Sequence, residues 1–119
     1  MSAGLPAAAM SVKTNCMNSL ARRGIEVRRE ALEAFCQRHC IRKLSLFGSI
    51  LRDDFGRESD VDFLVEFEAG KTPGLLELIG MELELSELVG RSVDLRTVQD
   101  LSRYFRDRVL REAEVQYVA

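Results

Sequence analysis

Apolar and polar residues alternate without a break over residues 60–67. Val61, Phe63, Val65 and Phe67 fall on one side, and Asp60, Asp62, Leu64 and Glu66 on the other. Strand side chains repeat every two residues, so this stretch predicts a strand with Asp60 and Asp62 pointing the same way. Upstream, 44–47 predicts a shorter strand, broken by Gly48-Ser49. Residues 50–55 predict one or two helical turns that Gly56 ends. Before them, Ile25, Leu32, Phe35, Cys36 and Cys40 fall near helical spacing, which predicts an amphipathic helix over 25–40 that covers the sheet.

Downstream, Gly70-Lys71-Thr72-Pro73-Gly74 reads as a loop. The longest helix is expected over 75–89. Leu75, Leu76, Leu78, Ile79, Leu83, Leu85, Leu88 and Val89 give it a broad apolar stripe, with Met81 filling core. Glu77, Glu82, Glu84 and Glu87 are its solvated face, and Gly90 stops it. Residues 92–97 predict a third strand carrying Val93, Asp94 and Leu95. Residues 100–113 read as one helix or two short ones, and 115–118 as an edge strand. Residues 1–22 show no sustained period and predict a disordered lead, leaving 23–119 as one domain. The class is α/β: a small mixed sheet flanked by helices.

Composition narrows the function. The chain has 119 residues, 46% hydrophobic and 30% charged, with a formal net charge of -2. A dedicated nucleic-acid surface needs a basic excess, so no direct nucleic-acid binding is expected. The cluster Arg22, Arg23, Arg28 and Arg29 reads as a solvated face, with a phosphate or RNA contact as the alternative. No apolar run approaches the roughly 20 residues of a membrane span, and no secretion signal opens the chain. The expected location is the cytoplasm. Three cysteines, an odd count, argue against a disulfide framework there. Cys36, His39 and Cys40 lie together, but zinc needs a fourth ligand. They read instead as small apolar helix residues and a C-terminal histidine that favours the helix dipole.

The candidate chemistry lies in Asp60 and Asp62. Two carboxylates at about 4 Å repel by roughly 4 kcal/mol at an effective dielectric of about 20. Such a pair persists when a cation sits between its members or when one holds a proton. Mg²⁺ or Mn²⁺ suits an all-oxygen site. Gly48 lets a phosphate approach the backbone, and Ser49 adds a donor at a helix N-terminus. Arg52 is placed to reach a phosphate oxygen. Asp94, on the third strand, is placed to face the pair. These are the parts of a two-metal site. One ion on Asp60 and Asp62 would grip a triphosphate. A second, shared with Asp94, would activate a hydroxyl, with Asp94 also available as general base. The product would be a transferred nucleotidyl group and pyrophosphate.

Gly-Ser, ten residues, Asp-x-Asp, and a later strand bearing a third Asp resembles the nucleotidyltransferase superfamily that includes DNA polymerase beta. LSLFGSILRDDFGRESDVDFLVEF, GRSVDLRT and the tail FRDRVLREAEVQYVA resemble its minimal bacterial and archaeal members over roughly 25–119. The resemblance implies the nucleotidyltransferase fold. It places Gly48, Ser49 and Arg52 at the nucleotide and Asp60, Asp62 and Asp94 at the catalytic metals. In many members a Gly follows that basic residue, where this chain has Asp53. The resemblance further implies two Mg²⁺ ions, ATP as substrate, and a HEPN-type toxin as partner. The chain would be its antitoxin and would transfer AMP to a tyrosine of that toxin. A chain of this length is expected to draw its acceptor from a second protein. Two other readings stand beside this one: an interaction module that neutralises its partner by binding, and a stand-alone adenylyltransferase for a small molecule.

Overall fold

The computed structural model describes residues 19–52 and 54–119. In chain order the elements are α1 (Ser19–Arg22), α2 (Arg29–Arg38), β1 (Ile41–Phe47), a 3₁₀ turn (Gly48–Leu51), β2 (Val61–Phe67), α3 (Leu75–Val89), β3 (Val93–Thr97), a second 3₁₀ turn (Val98–Asp100), α4 (Arg103–Glu112) and β4 (Glu114–Val118). Among the described residues, the four strands form one mixed sheet in the order β3-β2-β1-β4. β1 runs antiparallel to both β2 and β4. β2 and β3 are parallel, and α3 makes the crossover that parallel neighbours require.

The alternation in β2 sorts its faces. Val61, Phe63 and Val65 join one buried cluster with Leu32, Phe35 and Cys36 of α2 and Met81, Leu85 and Val89 of α3. Leu64 is also buried but stands outside that cluster. Burial pushes the Cys36 thiol up to about 12, with Glu33 adding to it, so it stays a protonated apolar residue. No described helix is long and apolar enough to cross a membrane.

Several expected boundaries move. Residues 19–22, expected in the disordered lead, form α1, with Ser19 and Leu20 buried; residues 1–18 lie outside the described residues. The first long helix is Arg29–Arg38 rather than 25–40. Gly24, at φ 74, turns the chain after α1, and Ile25 and Val27 pack on the core from the segment between the helices. β1 starts at Ile41 rather than 44. Cys40 takes a left-handed φ of 55, which reverses the chain directly into a strand. The helical turns expected over 50–55 shrink to the 3₁₀ turn Gly48–Leu51.

α3 has the expected bounds and ends at Gly90, whose φ of 77 suits glycine and whose amide caps onto the Ser86 carbonyl. Its stripe is split, however. Met81, Leu85 and Val89 are buried and Leu78 and Leu88 partly so, whereas Leu75, Leu76, Ile79 and Leu83 face solvent. Its acids are not all solvated either. Glu82 accepts the Leu95 amide at 2.7 Å, and Ser86 accepts that of Val93 at 3.1 Å, so α3 covers the free edge of β3. Glu84 bonds Arg38 at 2.5 Å and His39 at 3.0 Å. The Arg38 hydrogen bond is the main cause that lowers its pKa.

Candidate active site

Gly48 follows β1 with φ 81, a conformation that side chains other than glycine's rarely adopt. Its surroundings demand glycine as well. A Cβ there would collide with the Asp62 carboxylate, standing 3.2 Å from the Asp62 Cγ and closer still to one oxygen. The turn and the acid are thus in van der Waals contact. Ser49 lies in the 3₁₀ turn, and its carbonyl accepts the Arg52 amide at 2.9 Å. Arg52 pairs loosely with Asp54 at 3.5 Å. Asp53 and the glycine departure read there lie outside the described residues.

The sheet register aligns the acids. Asp62 pairs with Phe47 on one side and with Asp94 on the other. Paired residues share a face, so Asp62 and Asp94 sit side by side on the face opposite Val61, Phe63 and Val93. Asp60 lies two residues before Asp62, exposed at the entry to β2. Asp62 is half-buried. Burial, then Asp94, then Asp60 raise its pKa to about 6, against the opposing pull of Arg96 and Arg52. Asp94 is turned to Arg96, with its Oδ1 accepting from Nε at 3.1 Å. That bond is the first cause that raises the Arg96 pKa.

The chemistry of the donors, carboxylate oxygens with Asp62 carrying a charge that its neighbours disfavour, is of the kind that suits a divalent cation, and the register brings two of them, Asp62 and Asp94, side by side. Among the described residues, no three His, Cys, Asp or Glu side chains close on one point as a ligand set. The same holds for the zinc alternative at Cys36, His39 and Cys40. Cys36 is buried, while His39 packs on Phe35 and bonds Glu84.

A cleft of about 690 Å³ opens beside the turn. Gly48, Leu51 and Arg52 line it on one side and Leu101, Phe105 and Val109 on the other. That lies within the roughly 300–1,000 Å³ of small-molecule sites. Two arginines here, Arg91 and Arg96, escaped sequence reasoning, and Arg23, expected on a solvated face, instead bonds the Ile50 and Arg52 carbonyls. Arg96 was legible from the strand period, since it shares the Asp94 side of β3. Arg23 and Arg91, which touch the loop before Asp60, act across the fold and leave no local signal.

Residues 28–116 match the family model described as nucleotidyltransferase domain. A protein of Methanocaldococcus jannaschii, provisionally named a protein adenylyltransferase, is 36% identical over 88 residues, covering 74% of this chain and 91% of that one. Protein adenylyltransferase MntA of Thermococcus cleftensis is 40% identical over 76 residues, covering 64% and 75%. Among solved structures, one provisionally named a minimal nucleotidyltransferase superposes with a TM-score of 0.61 at 38% identity, covering 82% of this chain and 94% of that one. A chain from a complex of tri-AMPylated Shewanella oneidensis HEPN toxin with MNT antitoxin shares the fold, with a TM-score of 0.55 at 16% identity over 76% and 70%. The sheet with its glycine turn and paired aspartates, and a family match that spans most of the molecule, establish that this chain belongs to the nucleotidyltransferase domain family.

Proposed function

We propose that the chain transfers AMP from ATP to a hydroxyl of a partner protein, a tyrosine of a HEPN-type toxin, and so acts as the antitoxin of a pair. One observation carries the chemistry: Gly48 touches Asp62, and Asp62 is in register with Asp94. A phosphate-approachable backbone and a carboxylate pair are therefore adjacent. The partner rests on relatives named protein adenylyltransferases and on a fold shared with an antitoxin bound to its AMPylated toxin.

In this reading the Gly48 backbone and the Ser49 hydroxyl receive the triphosphate, and Arg52 neutralises part of its charge. The acceptor oxygen bonds to the α-phosphorus while the bond from that phosphorus to the bridging oxygen breaks. Pyrophosphate leaves with the electron pair, and the hydroxyl proton passes to the Asp62–Asp94 pair. Mg²⁺ or Mn²⁺ held by Asp60, Asp62 and Asp94 would supply charge neutralisation and a more acidic hydroxyl.

The test uses ATP labelled on the α- or the γ-phosphate, with the purified toxin as acceptor. Label is expected to reach the toxin from the α position only, with pyrophosphate released, and Asp62→Asn should lower transfer by at least about 10²-fold. Transfer of γ label would make the chain a kinase. Neutralisation of the toxin with no transfer of label would support the interaction module instead. That second reading draws on the solvent-facing row Leu75, Leu76, Ile79 and Leu83, apolar surface on which a partner could dock.

A further inference from the structure

Residues 54–60 lead from the 3₁₀ turn Gly48–Leu51 towards Asp62, and two arginines from outside the motif hold them. Arg91 lies between α3 and β3. One terminal nitrogen of its guanidinium shares its two N–H groups among the carbonyls of Gly56 at 2.8 Å, Arg57 at 3.0 Å and Ser59 at 2.9 Å. The same guanidinium stands 4.7 Å from the centre of the Phe55 ring. Arg23 approaches that ring too, at 5.5 Å. It donates to the Ile50 carbonyl at 3.4 Å and to the Arg52 carbonyl, both at the end of the 3₁₀ turn.

The grip is tightest around Asp60. Arg91 holds the Ser59 carbonyl just before it, and the neighbouring Ser92 carbonyl accepts the Val61 amide just after it at 2.9 Å. Consecutive residues therefore fix the backbone on both sides of one carboxylate. Arg23 is anchored in turn. It follows α1, whose first residue bonds Glu114 of β4 through its amide at 2.7 Å and its hydroxyl at 3.2 Å. Chain upstream of the family-matched region thus reaches the candidate active site.

Resting on the nucleotidyltransferase reading, we propose that Arg91 and Arg23 are positioning residues. They both stand over the Phe55 ring and tie the loop carbonyls, which sets where Asp60 and Asp62 stand relative to the Gly48–Ser49 turn. Neither touches substrate. Their effect is on geometry, and a misplacement of about 1 Å at a reacting group lowers rate by about 10²-fold.

The full chain is the test object, with Arg91→Met, Arg91→Lys and Arg23→Met. Arg91→Met should lower kcat by at least about tenfold while KM for ATP stays within about threefold, and should raise the Mg²⁺ concentration that gives half-maximal rate. Arg91→Lys should recover only part of kcat, because its ammonium keeps the charge and the N–H donors but ends short of the guanidinium nitrogen that meets the three carbonyls and does not stack on Phe55. Arg23→Met should shift the same quantities in the same direction by less. Amide exchange, read without any turnover, should quicken over 56–61 in Arg91→Met and stay unchanged in β1. Unchanged kcat in Arg91→Met, or unchanged amide exchange over 56–61 in that variant, would overturn the proposal. If Arg91→Met does not fold, Phe55→Leu removes the ring that both guanidiniums approach and should give the same kcat loss; wild-type kcat in that variant would overturn it. A wild-type chain that transfers nothing would sink the enzyme reading alone, while the exchange measurement still decides whether Arg91 holds the loop.

Discussion

Asp62 carries the strain of the site. Its neighbours Asp94 and Asp60 are acids, burial adds to their effect, and the arginines nearby compensate only in part. Its folded pKa of about 6 lies above the 3.8 of an ordinary aspartate. The folded state therefore binds the proton more tightly than the unfolded chain between those values. Stability must fall as pH rises through that window, and the loss is complete above it. Asp62→Asn removes the charge and keeps the shape. In the presence of a chelator, the variant should be more stable than the wild type at pH 7.5, by about 1–2 kcal/mol once solvent screening of a half-exposed group is allowed for. The difference should shrink toward zero near pH 4. Denaturant midpoints at the two pH values check this, and a wild type more stable than the variant at pH 7.5 would refute it. Gly48 fits the same picture from the other side, since only a residue without Cβ leaves room for that carboxylate.

At the scale of elements, what could be read from the chain and what could not have different causes. The β2 alternation, the Gly90 stop and the length of α3 are local signals, and the structure has them where the sequence put them. The third strand with Asp94 was legible too; its pairing beside Asp62 is a property of the register. The split of the α3 stripe was not legible. Eight leucine, isoleucine and valine positions look alike in sequence, but only one side of a helix meets a single-layer sheet. The Arg23–Phe55–Arg91 contacts were equally silent, because they join residues 32 and 36 positions apart on either side of Phe55. The split makes a prediction. Leu85→Ala, at 0% exposure, should cost about 2–5 kcal/mol. Leu76→Ala, at 85% exposure, should stay within about 0.5 kcal/mol of wild type. Thermal unfolding of the two variants decides it, and comparable losses would mean that the outer row is covered.

For the molecule as a whole, stability and activity pull on the same carboxylates with opposite sign. The sheet, α2 and α3 bury the core on one face. The other face holds Asp62 and Asp94 side by side, a local repulsion that the rest of the fold must carry. A bound divalent cation with ATP reverses that sign, because anything that binds only the folded state adds RT ln(1 + [L]/Kd), about 2.7 kcal/mol at a hundredfold excess over Kd. The wild type should therefore gain several degrees in melting temperature on addition of Mg²⁺ and ATP, whereas Asp62→Asn should gain little. The order of the two proteins then inverts: the variant melts higher in chelator, and the wild type melts higher with ligand. Shape alone would not produce this crossover. A core substitution such as Leu85→Ala lowers both curves together, and a loss of surface charge moves both slightly. Inversion requires that one group be unfavourable in the empty fold and favourable in the filled one. Parallel curves, with the variant above the wild type under both conditions, would separate Asp62 from ligand binding and leave its juxtaposition with Gly48 without a catalytic purpose.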